Sequence, residues 1–274
     1  MSDLIGLLPA AGRGSRLGPI PCSKEIMPLG FRPTPAAPQP IWRPVTALEL
    51  HLHALRRAGA GRAVIVIGET KADIVRYVGD GAAYDLPVAY VYQRTLAGMP
   101  YALDLATPWV GAATTLFSMP DTLIYPEDTM SRLAAHHRGS GADVTLGVFR
   151  TSSPQKFGMV EIGPQDEVRS FVDKPARTTL EWMWGMAAWS PRFTGFMRAH
   201  LASRAAGGPE CVLSDVFAAA LDAGLVIQAL PLTEASYHDI GTPEDFQSVV
   251  LSMALRHAGP DDYVRLWGPT GSDA

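Results

Sequence analysis

Residues Leu4–Leu29 read LIGLLPAAGRGSRLGPIPCSKEIMPL. The stretch opens on an apolar run, Leu4, Ile5, Leu7 and Leu8, which reads as a buried strand. It stops at Pro9 and gives way to small residues, Ala10, Ala11, Gly12 and Gly14. Arg13, Ser15 and Arg16 are threaded among them, and Lys24 follows. Small residues let backbone N–H groups approach a ligand closely. Successive N–H groups with cations nearby form an anion site, and a polyphosphate is the natural anion for it.

Known phosphate loops do not fit this spacing. Gly12, Gly14 and Gly18 give G-x-G-x-x-x-G, with Pro19 and Pro21 where a dinucleotide fingerprint needs its helix. No Lys follows Gly18, so the P-loop pattern is also missing. A strand-end turn with glycines for geometry alone is the plain alternative. Two arginines and a lysine in so short a loop argue against it.

Outward from the loop, strands and helices alternate. Strands are expected at 63–67 (AVIVI), 88–92 (VAYVY), 114–119 (TTLFSM) and 144–149 (VTLGVF). Helices are expected at 45–57, 71–78, 99–106 and 126–137. This alternation argues βαβ units and a mainly parallel sheet, whose ligands bind outside the carboxyl ends of the strands. The second half changes character. Short strands are expected at 159–162, 168–171, 182–189 and 226–230, with helices at 192–202, 213–223 and 246–253. Ser214 and Thr242 read as N-caps, the latter with Pro243 at the first helical position. FRPTPAAPQPIWRP (31–44) carries five of the chain's 23 prolines and no periodicity, so it reads as an extended surface insert, more a passive linker than a lid. The tail from Ala258 is expected to fray. No internal repeat is visible.

Composition narrows the class. With 274 residues, 47% hydrophobic and 18% charged, the chain is long enough for one large globular domain. A net charge of −4 gives no support for a nucleic-acid or membrane partner. No apolar run reaches about 18 residues, and no basic segment precedes the first strand, so neither a membrane span nor a signal peptide is expected. The two cysteines, Cys22 and Cys211, are too far apart to suggest a disulfide framework or a zinc site, and the cytoplasm is the expected setting. Cys22 reads as a small side chain, not a nucleophile. His51 and His53, two apart, do not share a helix face and read as ordinary helix residues.

Three strand ends carry polar residues. After Tyr92 stands Gln93-Arg94-Thr95-Leu96-Ala97-Gly98; a Gln amide offers one acceptor and two donors, matching the edge of a nucleobase. After Phe117 stands Ser118-Met119-Pro120-Asp121-Thr122, a carboxylate poised above the sheet or capping the next turn. Near the C-terminus stands Asp239-Ile240-Gly241-Thr242-Pro243-Glu244-Asp245. Further pieces are Lys156-Phe157-Gly158, Phe171-Val172-Asp173-Lys174-Pro175 and Gly185-Met186-Ala187. Trp182, Trp184 and Trp189 crowd one strand, where core packing is favoured over stacking on a ligand.

LPAAGRGSRLGPIPCSKEIMPL resembles the signature of sugar-1-phosphate nucleotidyltransferases, of the kind found in glucose-1-phosphate thymidylyltransferases and UDP-glucose pyrophosphorylases. The other blocks follow in the family's order across nearly the whole chain. The resemblance implies a mixed, mainly parallel α/β sheet flanked by helices, a Rossmann-like and GT-A-like core, with a β-rich sugar-binding second half. It implies a single domain over 1–257, with nucleotide and sugar halves meeting near residue 150, and a flexible tail over 258–274. It implies catalytic roles for Arg16 and Lys24, and nucleotide binding by Ala10, Ala11, Gly12, Arg13, Gly14, Ser15, Gln93 and Gly98. Gly158, Asp173 and Lys174 fall on sugar-binding positions. Asp121 and Asp239 fall on the positions that hold Mg²⁺, which one or two carboxylates plus substrate phosphates suffice to bind. The implied partners are an NTP, dTTP or UTP, and a sugar-1-phosphate, most simply glucose-1-phosphate. A homo-oligomer is expected.

The chain departs from the pattern in places. G-D-N is here Pro120-Asp121-Thr122, Asp173 stands for Glu, and Ala187 for Tyr. These leave open a cytidylyltransferase acting on a phosphocholine- or phosphonate-like substrate. A non-catalytic nucleotide-sugar-binding subunit should have lost the cations or the carboxylates, which are all present. A glycosyltransferase would want D-x-D, and only Asp121 is there.

Overall fold

The computed structural model describes residues 3–34, 41–204 and 210–267. The first half runs β1 (Leu4–Ala10), β2 (Gly30–Thr34), β3 (Ile41–Val45), α1 (Ala47–Arg57), β4 (Arg62–Ile67), α2 (Ala72–Val78) and β5 (Val88–Tyr92). It continues with α3 (Met99–Leu105), α4 (Thr107–Val110), β6 (Thr114–Ser118), β7 (Thr122–Tyr125), α5 (Thr129–Ser140) and β8 (Val144–Arg150). The second half runs β9 (Gly158–Ile162), β10 (Val168–Asp173), β11 (Trp182–Trp189), α6 (Pro191–Ser203), α7 (Leu213–Asp222), β12 (Ile227–Pro231), β13 (Ser236–Asp239) and α8 (Pro243–Trp267).

β1 is the axis of the main sheet. It pairs in parallel with β4 on one side and β6 on the other, and β5 extends the β4 edge. β11 runs antiparallel between β6 and β8, β12 adds in parallel to β8, and β9 and β10 branch from the start of β11. The sheet is thus mixed, and parallel through β6, β1, β4 and β5, as expected from the βαβ alternation. Along β1, Ile5 and Leu7 enter one core and Leu4 and Leu8 the other, the period of two of a strand buried on both faces. α1, α2 and α5 cover one face, and α3, α6 and α7 the other. Trp184 and Trp189 pack with Phe117, Phe193 and Phe217 in the second core, so core packing accounts for both. Trp182 lies half-buried under the Arg150 guanidinium, 4.8 Å from its carbon.

Several local expectations are corrected. The proline-rich insert contains a hairpin, β2 with β3, in which Phe31 faces Pro44 and Pro33 faces Trp42; residues 35–40 lie outside the described residues. Proline is tolerated in so isolated a two-stranded ribbon because its edges need no donors. β7 and β13 form a second small antiparallel sheet, missed because four-residue strands carry too little periodicity. α5 starts at Thr129, after a turn in which Thr129 N–H donates to the Pro126 carbonyl. α7 is capped at Val212, whose N–H donates to Asp215 Oδ2 at 3.3 Å; Ser214 serves a tryptophan instead. α8 continues past Ala258, into the segment expected to fray; residues 268–274 lie outside the described residues. Among the described residues, no helix is long and apolar enough to cross a membrane.

Candidate active site

The carboxyl ends of β1, β4, β5 and β6 share one edge of the sheet, and the polar loops emerge there. From β1, Ala10 and Ala11 are buried and Gly12 and Arg13 are exposed. Gly14 (φ 67°) and Gly18 (φ 80°) bracket the 3₁₀ turn Ser15–Leu17, in a left-handed conformation open to glycine. A Cβ on Gly68, after β4, would lie 2.7 Å from the Ala11 carbonyl, so the neighbouring loop presses directly on this one. Arg16 extends outward, its side chain 68% exposed, with Nη2 3.9 Å from Asp239 Oδ2.

Lys24 behaves differently. It lies on the turn Lys24–Ile26, is buried, and its Nζ donates to Asp121 Oδ2. Burial works against its charge, but Asp121 outweighs it, with Glu25 and Asp239 assisting, so the ammonium is held above its ordinary pKa. The side chain is a fixed cation. Cys22, just before it, has its thiol pushed up by burial, then by Asp73 and Glu25, which leaves it unsuited to nucleophilic work.

Asp121 sits on the turn between β6 and β7. Thr122 Oγ1 donates to the Met119 carbonyl at 2.7 Å, and Ile240 N–H donates to the Asp121 carbonyl at 3.2 Å. Beneath it His51, from α1, is buried. Its Nε2 donates to the Thr122 carbonyl at 2.9 Å, so Nδ1 accepts from Ser118 Oγ at 2.5 Å. Burial pushes its pKa down to about 4, so the ring is neutral. His51 is therefore a brace for the Asp121 turn, a role its spacing from His53 did not show. Asp239 comes from the end of β13. Burial and then the charge of Asp121 push its carboxyl up, opposed by Lys24, Arg16 and the Gly241 N–H.

Two carboxylates that repel one another in a half-buried cleft need a cation. Lys24 meets part of that need, and a divalent ion on Asp121 and Asp239 would meet the rest. Among the described residues, no cluster of three His, Cys, Asp or Glu side chains could hold a metal alone. Two carboxylates are a donor set that fits sparse Mg²⁺ ligation completed by phosphates and water.

A cleft of about 520 Å³ opens beside these groups. Arg16, Asp121, Asp239, Gly158, Asp173 and Lys174 all line it, bringing both carboxylates together with the sugar-side positions. Lys174 holds a left-handed conformation (φ 44°), uncommon for a residue with a side chain and found most often at functional sites. Its N–H donates to the Phe157 carbonyl at 3.0 Å. Trp184 and Tyr237 also line the cleft and were not singled out as site residues. Trp184 Nε1 donates to Ser214 Oγ at 3.0 Å, and Gly158 is a glycine because a Cβ there would strike that bond. Tyr237 packs against Phe149 and Phe157 and against the bare face of Gly185. Ala187, at the position where the resemblance expects Tyr, is fully buried in the core on the α3, α6 and α7 face, whereas Tyr237 of β13 packs on the other face.

Gln93 and Gly98 are not among the residues lining this cleft. Gln93 is 4% exposed and its Nε2 has no hydrogen-bond partner among the described residues. A donor amide orphaned at the end of β5 is one that a ligand can satisfy. Gly98 (φ 104°) caps α3, and a Cβ there would lie 2.7 Å from the Cys211 carbonyl. Asp245 lies in the first turn of α8. Its N–H donates to Thr242 Oγ1 at 3.2 Å, and its carboxylate pairs with Lys156.

The sequence profile of the nucleotidyl transferase family matches residues 5–254. A low-salt glycan biosynthesis nucleotidyltransferase of Haloferax volcanii is 26% identical over 265 residues, 93% of this chain and 68% of that protein. A glucose-1-phosphate thymidylyltransferase of Streptomyces griseus is 28% identical over 62% of this chain and 44% of its own length. A mannose-1-phosphate guanylyltransferase of Mycobacterium tuberculosis is 28% identical over 90% of this chain and 66% of its own. The chain thus spans between under half and about two thirds of the length of these relatives. A Bacillus anthracis structure, provisionally called a glucose-1-phosphate thymidylyltransferase and solved with sucrose, superposes with a TM-score of 0.78. At 17% identity it covers 91% of this chain and 95% of that one, a likeness of fold.

Proposed function

Because the chain belongs to the nucleotidyl transferase family, we propose that it condenses a sugar-1-phosphate with an NTP, giving an NDP-sugar and pyrophosphate. Glucose-1-phosphate with dTTP or UTP is the first pair to try. The observation that carries the reading is that Arg16, Asp121 and Asp239 line one cleft, with Lys24 paired to Asp121 beside it, so that three separated segments bring these charges together. A sugar-phosphate oxygen attacks the α-phosphorus of the NTP, and the bond from that phosphorus to the bridging oxygen breaks, releasing pyrophosphate. The attacking phosphate is already ionised near neutral pH, so no general base is required. The barrier lies in bringing two anions together, and catalysis is positioning and charge neutralisation.

Arg16, exposed at the cleft, clamps the leaving β- and γ-phosphates, with Arg13 beside it. Lys24 sets its fixed charge against the α-phosphate and the incoming phosphate. The small-residue loop from Ala10 to Ser15 offers N–H groups to the triphosphate. Gln93 reads the base, and Gly98 lets the chain approach it. Mg²⁺ would be held by Asp121 and Asp239, supplying further charge neutralisation when bound.

A pyrophosphate-release screen tests this, crossing dTTP, UTP, CTP, GTP and ATP with a panel of sugar-1-phosphates and phosphocholine. Release with dTTP or UTP and glucose-1-phosphate is expected. Release only with CTP and phosphocholine would move the substrate class, and none with any pair would leave a binding subunit. In the active pair, Arg16→Ala and Lys24→Ala are each expected to lower turnover by about 10² or more. A near wild-type rate in either would remove that residue from the scheme.

A further inference from the structure

We propose that Lys71 and Asp73, at the start of α2, are positioning residues for nucleotidyl transfer: they clamp the turn on both sides of Lys24 and so set where its ammonium stands. This rests on the function proposed above. The turn Lys24–Ile26 belongs to no sheet and is closed only by Ile26 N–H to the Ser23 carbonyl (3.0 Å) and Met27 N–H to the Lys24 carbonyl (3.2 Å). A turn so slight does not fix a side chain that must meet a phosphorus to within a fraction of an ångström.

Its neighbours do. One residue before Lys24, the Ser23 N–H and Oγ both donate to the Asp73 carboxylate, each at 2.6 Å. One residue after, Lys71 Nζ donates to Glu25 Oε2 at 2.7 Å, the two side chains 3% and 2% exposed. Both grips come from α2's first residues, two positions apart, and Lys71 N–H is itself tied to the Gly68 carbonyl at 3.2 Å. On the other side, Gly14 walls the lysine stem: a Cβ there would lie 3.6 Å from Lys24 Cδ.

The choice of groups points to geometry more than to stability. A buried ion pair holds a fold no better than apolar residues of the same volume, because desolvation offsets the attraction. What ion pairs and two-point hydrogen bonds add is direction. Lys71 is buried with its ammonium committed to Glu25, so it acts through the turn that carries Lys24 and not on substrate.

The test uses the full chain with the most active pair from the screen. Lys71→Met and Asp73→Asn are made alone and in a Lys24→Ala background, and circular dichroism and melting confirm folding. Each single variant should lose about 10–100-fold in kcat, as a small misplacement does, with KM for the NTP changed less than about threefold. In the Lys24→Ala background either substitution should cost less than about threefold more, since residues that act through one group are not additive. A folded variant with wild-type kcat, or losses that multiply in full with Lys24→Ala, would overturn the clamp. Should Lys71→Met fail to fold, Asp73→Asn, at a part-exposed carboxylate, decides by the same criteria. An inactive wild-type chain would overturn the reaction and the clamp together, whereas an active chain with indifferent variants overturns the clamp alone.

Discussion

A methyl group on Gly241 would lie 2.8 Å from Arg16 Nη2 and 3.0 Å from both Asp239 carboxylate oxygens. Its backbone is not in the left-handed region, so the glycine serves space and not conformation. Gly241→Ala should therefore leave stability within about 1 kcal/mol while displacing Arg16, and turnover should fall at least about tenfold; equal rates would show that Arg16 does not work where it now stands. His51 makes a prediction of opposite kind. Its pKa of about 4 lies below the ordinary 6.5, so the unfolded chain binds the proton more readily. Stability from this residue is full above pH 6.5 and is lost as pH falls toward 4, by up to about 3 kcal/mol. Urea unfolding between pH 7 and 4.5 should show a shallower pH dependence in His51→Gln than in the wild type. Parallel slopes would exclude His51 as the source. Arg16, Lys24, Asp121 and Asp239 could be singled out as candidates because each stands in a motif with its own local spacing. Lys71 with Glu25, and His51 with Ser118, were not, because the partners lie 46 and 67 residues apart.

At the scale of elements, the tryptophan strand β11 shows how packing and site share a residue. Trp184 stacks edge-on against Phe217 of α7 and is tied by Nε1 to Ser214 at that helix's start, while its surface floors the cleft. Gly158 at the head of β9 fits because nothing projects from it; in Gly158→Ala the new Cβ meets Trp184 and comes within 2.7 Å of Ser214 Oγ. Overpacking of this kind costs about 1–3 kcal/mol. We expect a lower melting midpoint together with a raised KM for the sugar phosphate, measured in the same preparation. An unchanged melting curve would mean the strand can yield. The hairpin β2–β3 and the pair β7–β13 escaped the sequence for a related reason. Their residues satisfy one another across the chain, and neither partner carries an alternation long enough to read alone.

At the scale of the molecule, one small core ties the site together. Leu29 follows the small-residue loop, Leu123 follows Asp121 and Ile240 follows Asp239, and all three belong to one cluster with Val249 and Met253 of α8. The three segments that supply the charged groups are thus fixed to one another just behind those groups. The carboxylates arrive from positions 121 and 239 and raise one another's need for a cation. Chelation with EDTA is therefore expected to abolish turnover, and added Mg²⁺ to restore it. Undiminished turnover in EDTA would leave Lys24 and Arg16 as the whole of the neutralising charge.

By itself the sequence determined the main-sheet strands and most of the helices, and which residues each loop presents, because periodicity and motif spacing are local and depend on residues close in the chain. It also determined the family, through blocks that keep their order. Only the tertiary structure decided that Lys24 pairs with Asp121, that His51 and α2 brace the loops, and that Tyr237 packs over the bare face of Gly185. Those contacts join residues whose separation in sequence carries no signal. They exist because burial in a shared core leaves each polar group a single partner to find.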